Sequence, residues 1–206
     1  MRASSPAVIG LTGGIATGKT TILATLGELG AYVLSADEAS HRLTAPGGDA
    51  LPAIRETFGD GFFLPDGAVD RRALAEVVFS DEGVKRALEA IIHPAVQREM
   101  LAGIEKAGQE GASVVVMEVP LLYETGMDAL CDAVWVAALD GESQVLRLMN
   151  RDRLTREQAL ARIASQMPLS DKIDRADVVI RTDRPPQEVQ KEVAHLYRDL
   201  LKRMDK

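Results

Sequence analysis

The chain has 206 residues, 46% of them apolar, with a single cysteine and a formal net charge of −7. That is enough apolar matter for a packed interior without disulfides, in one large domain or a core carrying insertions. The acidic balance argues against a general nucleic-acid binder, and no apolar run approaches the ~20 residues of a membrane helix. Lone Cys131 and a first dozen residues without an apolar signal segment predict a reducing, cytoplasmic setting.

Ala7-Val8-Ile9-Gly10-Leu11-Thr12 reads as a buried strand, and Ile22, Leu23, Leu26 and Leu29 mark one face of a helix that stops at Gly30. Between them lies Gly13-Gly14-Ile15-Ala16-Thr17-Gly18-Lys19-Thr20, the spacing of a phosphate-binding P-loop in its strand-loop-helix context. Small residues let successive backbone N–H groups converge on phosphate oxygens, and the helix start adds the positive end of its dipole. Lys19 is expected to reach the β and γ phosphates, and Thr20 to offer its hydroxyl to Mg²⁺, with Thr21 beside it in the first helical turn. A nucleoside triphosphate with Mg²⁺ is the natural occupant.

Residues 31–37 read as a second strand ending on the carboxylate of Asp37, and ligands of open α/β sheets lie outside the carboxyl ends of strands. Asp37 is therefore expected at the site, although a helix cap is also open to it. From 38 to 111 the strand pattern gives way to helices separated by Pro46-Gly47-Gly48, Gly59-Asp60-Gly61 and Pro65-Asp66-Gly67. Asp70 is a cap for one helix and Ser80 or Asp81 for the next. Pro94 is expected to end that run and open another helix, leaving His93 at a corner.

Residues 113–119 form a continuously apolar third strand ending on Glu118, a second carboxylate at the ligand edge. Residues 133–139 and 176–180 supply strands four and five. Between them Arg147 and Arg151 share a helix face, and Thr155 with Gln158 forms a capping box for a helix striped by Leu160, Ile163, Ala164 and Met167. Arg147, Arg151, Arg153, Arg156 and Arg162 stand there against only Asp152 and Glu157, a basic patch on an acidic chain. Pro185-Pro186 opens a last helix striped by Val189, Val193, Leu196 and Leu200. His41, His93 and His195 are too scattered to ligate zinc.

A GTPase would carry an Asn-Lys-x-Asp guanine reader, and the one asparagine, Asn150, precedes Arg151 instead. Small size and the lack of a ring or track surface disfavour a mechanical ATPase. A small-molecule kinase explains the layout: an insertion to hold the acceptor, and an arginine-rich hairpin to close over the triphosphate and exclude water.

The ordered set of motifs resembles the dephospho-coenzyme A kinases over nearly the whole chain. It comprises residues 9–15 leading into the P-loop, Ala36-Asp37, Asp70-Arg71, Ile92-His93-Pro94, Val119-Pro120-Leu121-Leu122-Tyr123-Glu124, Arg147 to Arg151, Arg162-Ile163 with Gln166, and Ala176-Asp177. The resemblance implies ATP-dependent phosphorylation of the 3′-hydroxyl of dephospho-CoA by a P-loop kinase-like, three-layer α/β fold with a five-stranded parallel sheet. It implies a nucleotide-binding core at 1–37, 112–140 and 169–206, a helical acceptor domain at 38–111 and a lid at 141–168.

By motif position Asp37 is the expected general base, with Lys19 and Arg147 completing the catalytic set. The loop 13–20 with Thr21, Arg147 and Arg151 would bind ATP, Thr20 would bind Mg²⁺, and Asp37, Arg71, His93 and Glu118 would face the acceptor. The sequence departs from the pattern at Ala16, where glycine is common, at Ser35 and Glu118, where aspartate is frequent, and at Thr182-Asp183-Arg184, which replaces Asn-x-Gly. A kinase for another nucleoside or nucleotide, and a regulator that binds nucleotide without turnover, are the alternatives.

Overall fold

The structure, a computed structural model, describes residues 5–204, apart from the side chains of Arg71, Phe79 and Ser80. Strands β1 (Ala7–Gly13), β2 (Tyr32–Ser35), β3 (Val114–Glu118), β4 (Ala133–Ala138) and β5 (Val178–Arg181) form one sheet in the order β2-β3-β1-β4-β5. The sheet is parallel, and β1 lies at its centre with Leu11 opposite Glu118 on one side and Trp135 on the other. These strands are apolar without alternation because both faces are covered. Ile9, Leu11, Val116 and Trp135 pack against helices α1 (Lys19–Glu28) and α9 (Pro186–Met204), while Val115, Met117, Val134 and Val136 are buried on the opposite face. The stripe expected on the last helix does face the sheet, with Val189, Val193 and Tyr197 buried.

The chain divides into two compact units, one of residues 1–34 with 104–206 and one of residues 35–103. The smaller unit is helical: α2 (Ala36–Leu43), α3 (Leu51–Phe58), a 3₁₀ turn at Asp60–Phe62, α4 (Arg71–Ser80) and most of α5 (Glu82–Gln109). Asp70 caps α4 by accepting from the Arg72 and Ala73 amides at 3.1 and 3.0 Å. Asp81 accepts from the Gly83 amide at 2.7 Å and starts α5.

Three expectations are corrected here. The second strand stops at Ser35, whose hydroxyl accepts from the Glu38 amide, so Asp37 sits in the first turn of α2 and not at a strand end. Pro94 does not break the helix: α5 runs through it, and His93 lies within the helix, not at a corner. The cost is one i→i−4 bond, since Pro94 has no N–H to give to Ala90, and the 28-residue helix absorbs it. On α7 (Arg156–Ala164) the buried residue is Ala159, and Leu160 is 46% exposed, so the apolar face is turned by one position from the expected stripe.

Helix α6 (Gly141–Asp152) joins α7 through Arg153, whose φ of 55° closes α6 in the left-handed conformation. Thr155 and Gln158 form the expected capping box. A short helix, α8 (Leu169–Asp174), lies against β4 and was not legible as an element of its own.

Candidate active site

The loop after β1 is shaped by close backbone approaches. Gly13 has a φ of 147°, and a Cβ there would lie 2.5 Å from the Ala137 carbonyl of β4. Gly18, at φ 88°, caps α1 without contributing a side chain. Between them Ala16 adopts φ 60°, a left-handed conformation that costs an L-residue roughly 1 kcal/mol. Thr17 Oγ1 donates to the Gly14 carbonyl at 2.8 Å, and the Lys19 ammonium lies on the Gly13 and Gly14 carbonyls at 3.4 and 3.1 Å. A ring of loop groups is thus folded around the start of a helix dipole, which favours an anion. Thr20 is exposed in the first turn of α1, with Thr21 following it.

The arginine-rich hairpin of α6 and α7 is ordered by its own acids. Arg151 and Arg162 both reach Asp152, at 2.7 and 2.8 Å, and Arg156 grips Glu142 through two bonds of 2.8 and 2.7 Å. The hydrogen bond from Arg151 holds the Asp152 carboxyl below its ordinary range, and Arg156 does the same for Glu142. Arg147 differs: among the described residues its partners are the uncharged Thr182 carbonyl and hydroxyl. Its charge is therefore the least neutralised of these four.

The hairpin also packs on the loop. Ile15 and Ala16 rest against the buried Val145, Leu148 and Ala159. Gln144 and Gln166 bond to the Ile15 backbone, and Thr182 Oγ1 donates to the Thr17 carbonyl at 2.6 Å.

Glu118, the last residue of β3, is 9% exposed at the carboxyl end of the strand beside β1. The Pro120 carbonyl accepts from Thr12 Oγ1 at 3.2 Å and from the Lys172 ammonium at 2.7 Å. Lys172 is wholly buried and pairs with Glu124 at 2.8 Å, while Glu124 also accepts from the Met167 amide.

The larger unit therefore holds the loop 13–21, ties Arg147 to it through Thr182 and sets Glu118 on the strand beside β1, while Arg151, one turn further along α6, is bonded to Asp152. Of the others, Asp37 is exposed on α2 and His93 is half-buried on α5, both in the smaller unit. Arg71 opens α4, but its side chain lies outside the described residues. Lys172, Gln144 and Thr182 were not singled out as site residues, because polar residues on amphipathic elements read as solvent-facing without the fold. Gln166 had appeared only as part of a family motif.

The sequence profile of the dephospho-CoA kinases matches residues 7–188. The chain belongs to the dephospho-CoA kinase family. It is 50% identical to the dephospho-CoA kinase of Symbiobacterium thermophilum over 84% of this chain and 72% of that one. It is 43% identical to that of Geobacillus kaustophilus over 90% and 92% of the two chains. The structure of a dephospho-CoA kinase from Campylobacter jejuni superposes with a TM-score of 0.72 at 27% identity, over 95% of this chain and 97% of that one. The enzyme is a dephospho-CoA kinase, a transferase acting in the final step of coenzyme A biosynthesis.

Proposed function

We propose that the chain transfers the γ-phosphoryl group of ATP to the 3′-hydroxyl of the dephospho-CoA ribose, in the cytoplasm and with Mg²⁺. The observation that carries this reading is the loop itself. Residues 13–20 join a central parallel strand to a helix start whose cap has no side chain, and the Lys19 ammonium is folded onto the loop carbonyls, ready to exchange them for phosphate oxygens.

In this reading the loop amides and Thr21 cradle the phosphates, Lys19 clamps them, and Arg147 and Arg151 neutralise charge from the lid, residues 141–168. The donor set fits Mg²⁺: Thr20 offers an exposed hydroxyl, Glu118 a carboxylate on the adjoining strand, and phosphate oxygens would complete the shell. No group of three or more His, Cys, Asp or Glu gathers among the described residues. Bound there, the ion would neutralise charge on the transferring group.

The helical segment 38–111 is assigned to the acceptor, with Arg71 and His93 contributing to it. Asp37, two residues beyond the carboxyl end of β2, is the general base for the ribose hydroxyl. The test is ADP release by the purified chain with dephospho-CoA, adenosine and AMP as acceptors. Dephospho-CoA should be strongly preferred, and Asp37→Asn should keep ATP binding while losing about 10²–10⁴ in turnover. Wild-type turnover in that variant would remove Asp37 as the base, and release of ADP equally with adenosine would overturn the acceptor.

A further inference from the structure

The tip of the phosphate-binding loop is held at both ends of one residue. The Ile15 N–H donates to Gln166 Oε1 at 3.0 Å, and the Ile15 carbonyl accepts from Gln144 Nε2 at 2.8 Å. The two glutamines stand on the two arms of the lid hairpin: Gln144 on α6, its backbone N–H donating to the Asp140 carbonyl at 2.9 Å, and Gln166 just past α7, its backbone N–H donating to the Ile163 carbonyl at 3.2 Å. Gln144 is only 3% exposed, so its amide is committed to this contact. It occupies the space that a Cβ on Gly14 would need.

Trans peptide planarity turns these bonds into orientation, because the N–H and C=O of one peptide point in opposite directions. Gln166, by drawing the Ile15 N–H toward the lid, aims the Gly14 carbonyl the other way. There it accepts from Thr17 Oγ1 at 2.8 Å and from Lys19 Nζ at 3.1 Å. Gln144, by drawing the Ile15 carbonyl toward α6, aims the Ala16 N–H away from α6 and sustains the φ of 60° at Ala16. Both peptide planes at the apex are thereby set by lid side chains.

We propose that Gln144 and Gln166 are positioning residues for phosphoryl transfer, fixing the peptides 14–15 and 15–16 and so coupling the lid to the triphosphate cradle. The proposal rests on the reading that this loop binds ATP. Its first measurement does not: amide hydrogen exchange over residues 13–21 in the nucleotide-free protein. Gln144→Met and Gln166→Met keep side-chain length and lose the amide, and each should raise exchange in that segment at least tenfold, with the sheet strands unchanged.

Two further variants separate donor from acceptor. Gln166→Glu still offers an oxygen to the Ile15 N–H and should keep wild-type exchange. Gln144→Glu sets oxygen against oxygen and should behave like the Met variant. In steady-state kinetics the two Met variants should raise the KM for ATP about tenfold and leave that for dephospho-CoA within twofold.

Unchanged loop exchange in both Met variants would overturn the proposal, as would raised exchange across the whole larger unit, which is what a merely structural role gives. Raised loop exchange with an unaltered ATP KM would overturn the coupling to the triphosphate. Failure of the ATP reading itself shows separately, as a wild-type protein that does not turn over.

Discussion

Arg147 Nη2 donates to the Thr182 carbonyl at 2.7 Å, and Thr182 Oγ1 in turn donates to the Thr17 carbonyl of the phosphate-binding loop at 2.6 Å. An arginine of the lid is thus tethered to the loop through one threonine, with no carboxylate competing for its charge among the described residues. Arg147→Ala is expected to lower kcat/KM for ATP by about 10- to 100-fold, the worth of one charge-assisted bond of about 1.5–3 kcal/mol. Arg147→Lys should recover part of that loss, since it keeps the charge but not the planar fork. Arg147 is exposed, so the melting temperature should barely move. Wild-type kinetics in the alanine variant would leave the side chain as part of a solvated face.

Lys172 and Glu124 form a pair of unequal burial, the lysine side chain at 0% exposure and the glutamate at 22%. Removing Glu124 strands a buried cation on the Pro120 carbonyl, whereas removing Lys172 leaves Glu124 its Met167 amide and some water. Urea unfolding should therefore find Glu124→Gln destabilising by about 3 kcal/mol and Lys172→Met by distinctly less. The double variant should lie close to Lys172→Met alone, with a coupling that additive behaviour would contradict.

The strands and the loop were legible because their signals are local. Residues 7–20 carry an apolar run and fixed spacings of glycine, lysine and threonine, and the structure keeps them within a residue of the expected bounds. What sequence could not supply was anything decided by packing. Pro94 is tolerated because a long helix can forgo one bond, Ala159 and not Leu160 faces the lid core because α7 is rotated by its neighbours, and Lys172 is internal because α8 lies against β4. Ala16 marks the boundary between the two cases. Its departure from glycine was visible in the sequence, and its φ of 60° only in the fold.

Burial pushes the Cys131 thiol up to about 12, helped by the negative charges of Asp128 and Asp132. Its Sγ lies 3.6 Å from the Met127 carbonyl, and a Cβ on Gly10 would meet it at 2.7 Å. Since the thiolate is the reactive form, Cys131 should resist iodoacetamide at pH 8 in the folded protein and label readily in urea. Mass spectrometry before and after unfolding reads this directly. Equal labelling rates in the two states would contradict the burial.

Asp152 and Glu142 make the lid hairpin sensitive to acid, and the direction follows from their depressed titration. Hydrogen bonding from Arg151, with the charges of Arg151 and Arg162, lowers Asp152, and Arg156 lowers Glu142. A carboxylate that ionises more easily in the fold than in the unfolded chain stabilises the fold fully above its unfolded value, about 3.9 for Asp and 4.3 for Glu. That contribution is lost as the pH falls through the lower folded values. Hydrogen exchange over residues 141–166, corrected for intrinsic rates, should therefore show a constant advantage of wild type over Asp152→Asn from about pH 7 to pH 5. The two should converge only below about pH 4. Glu142 is exposed and Asp152 half-buried, so added salt should shrink the advantage at neutral pH only in part. Convergence already near pH 6 would assign the sensitivity to a histidine instead of to these acids.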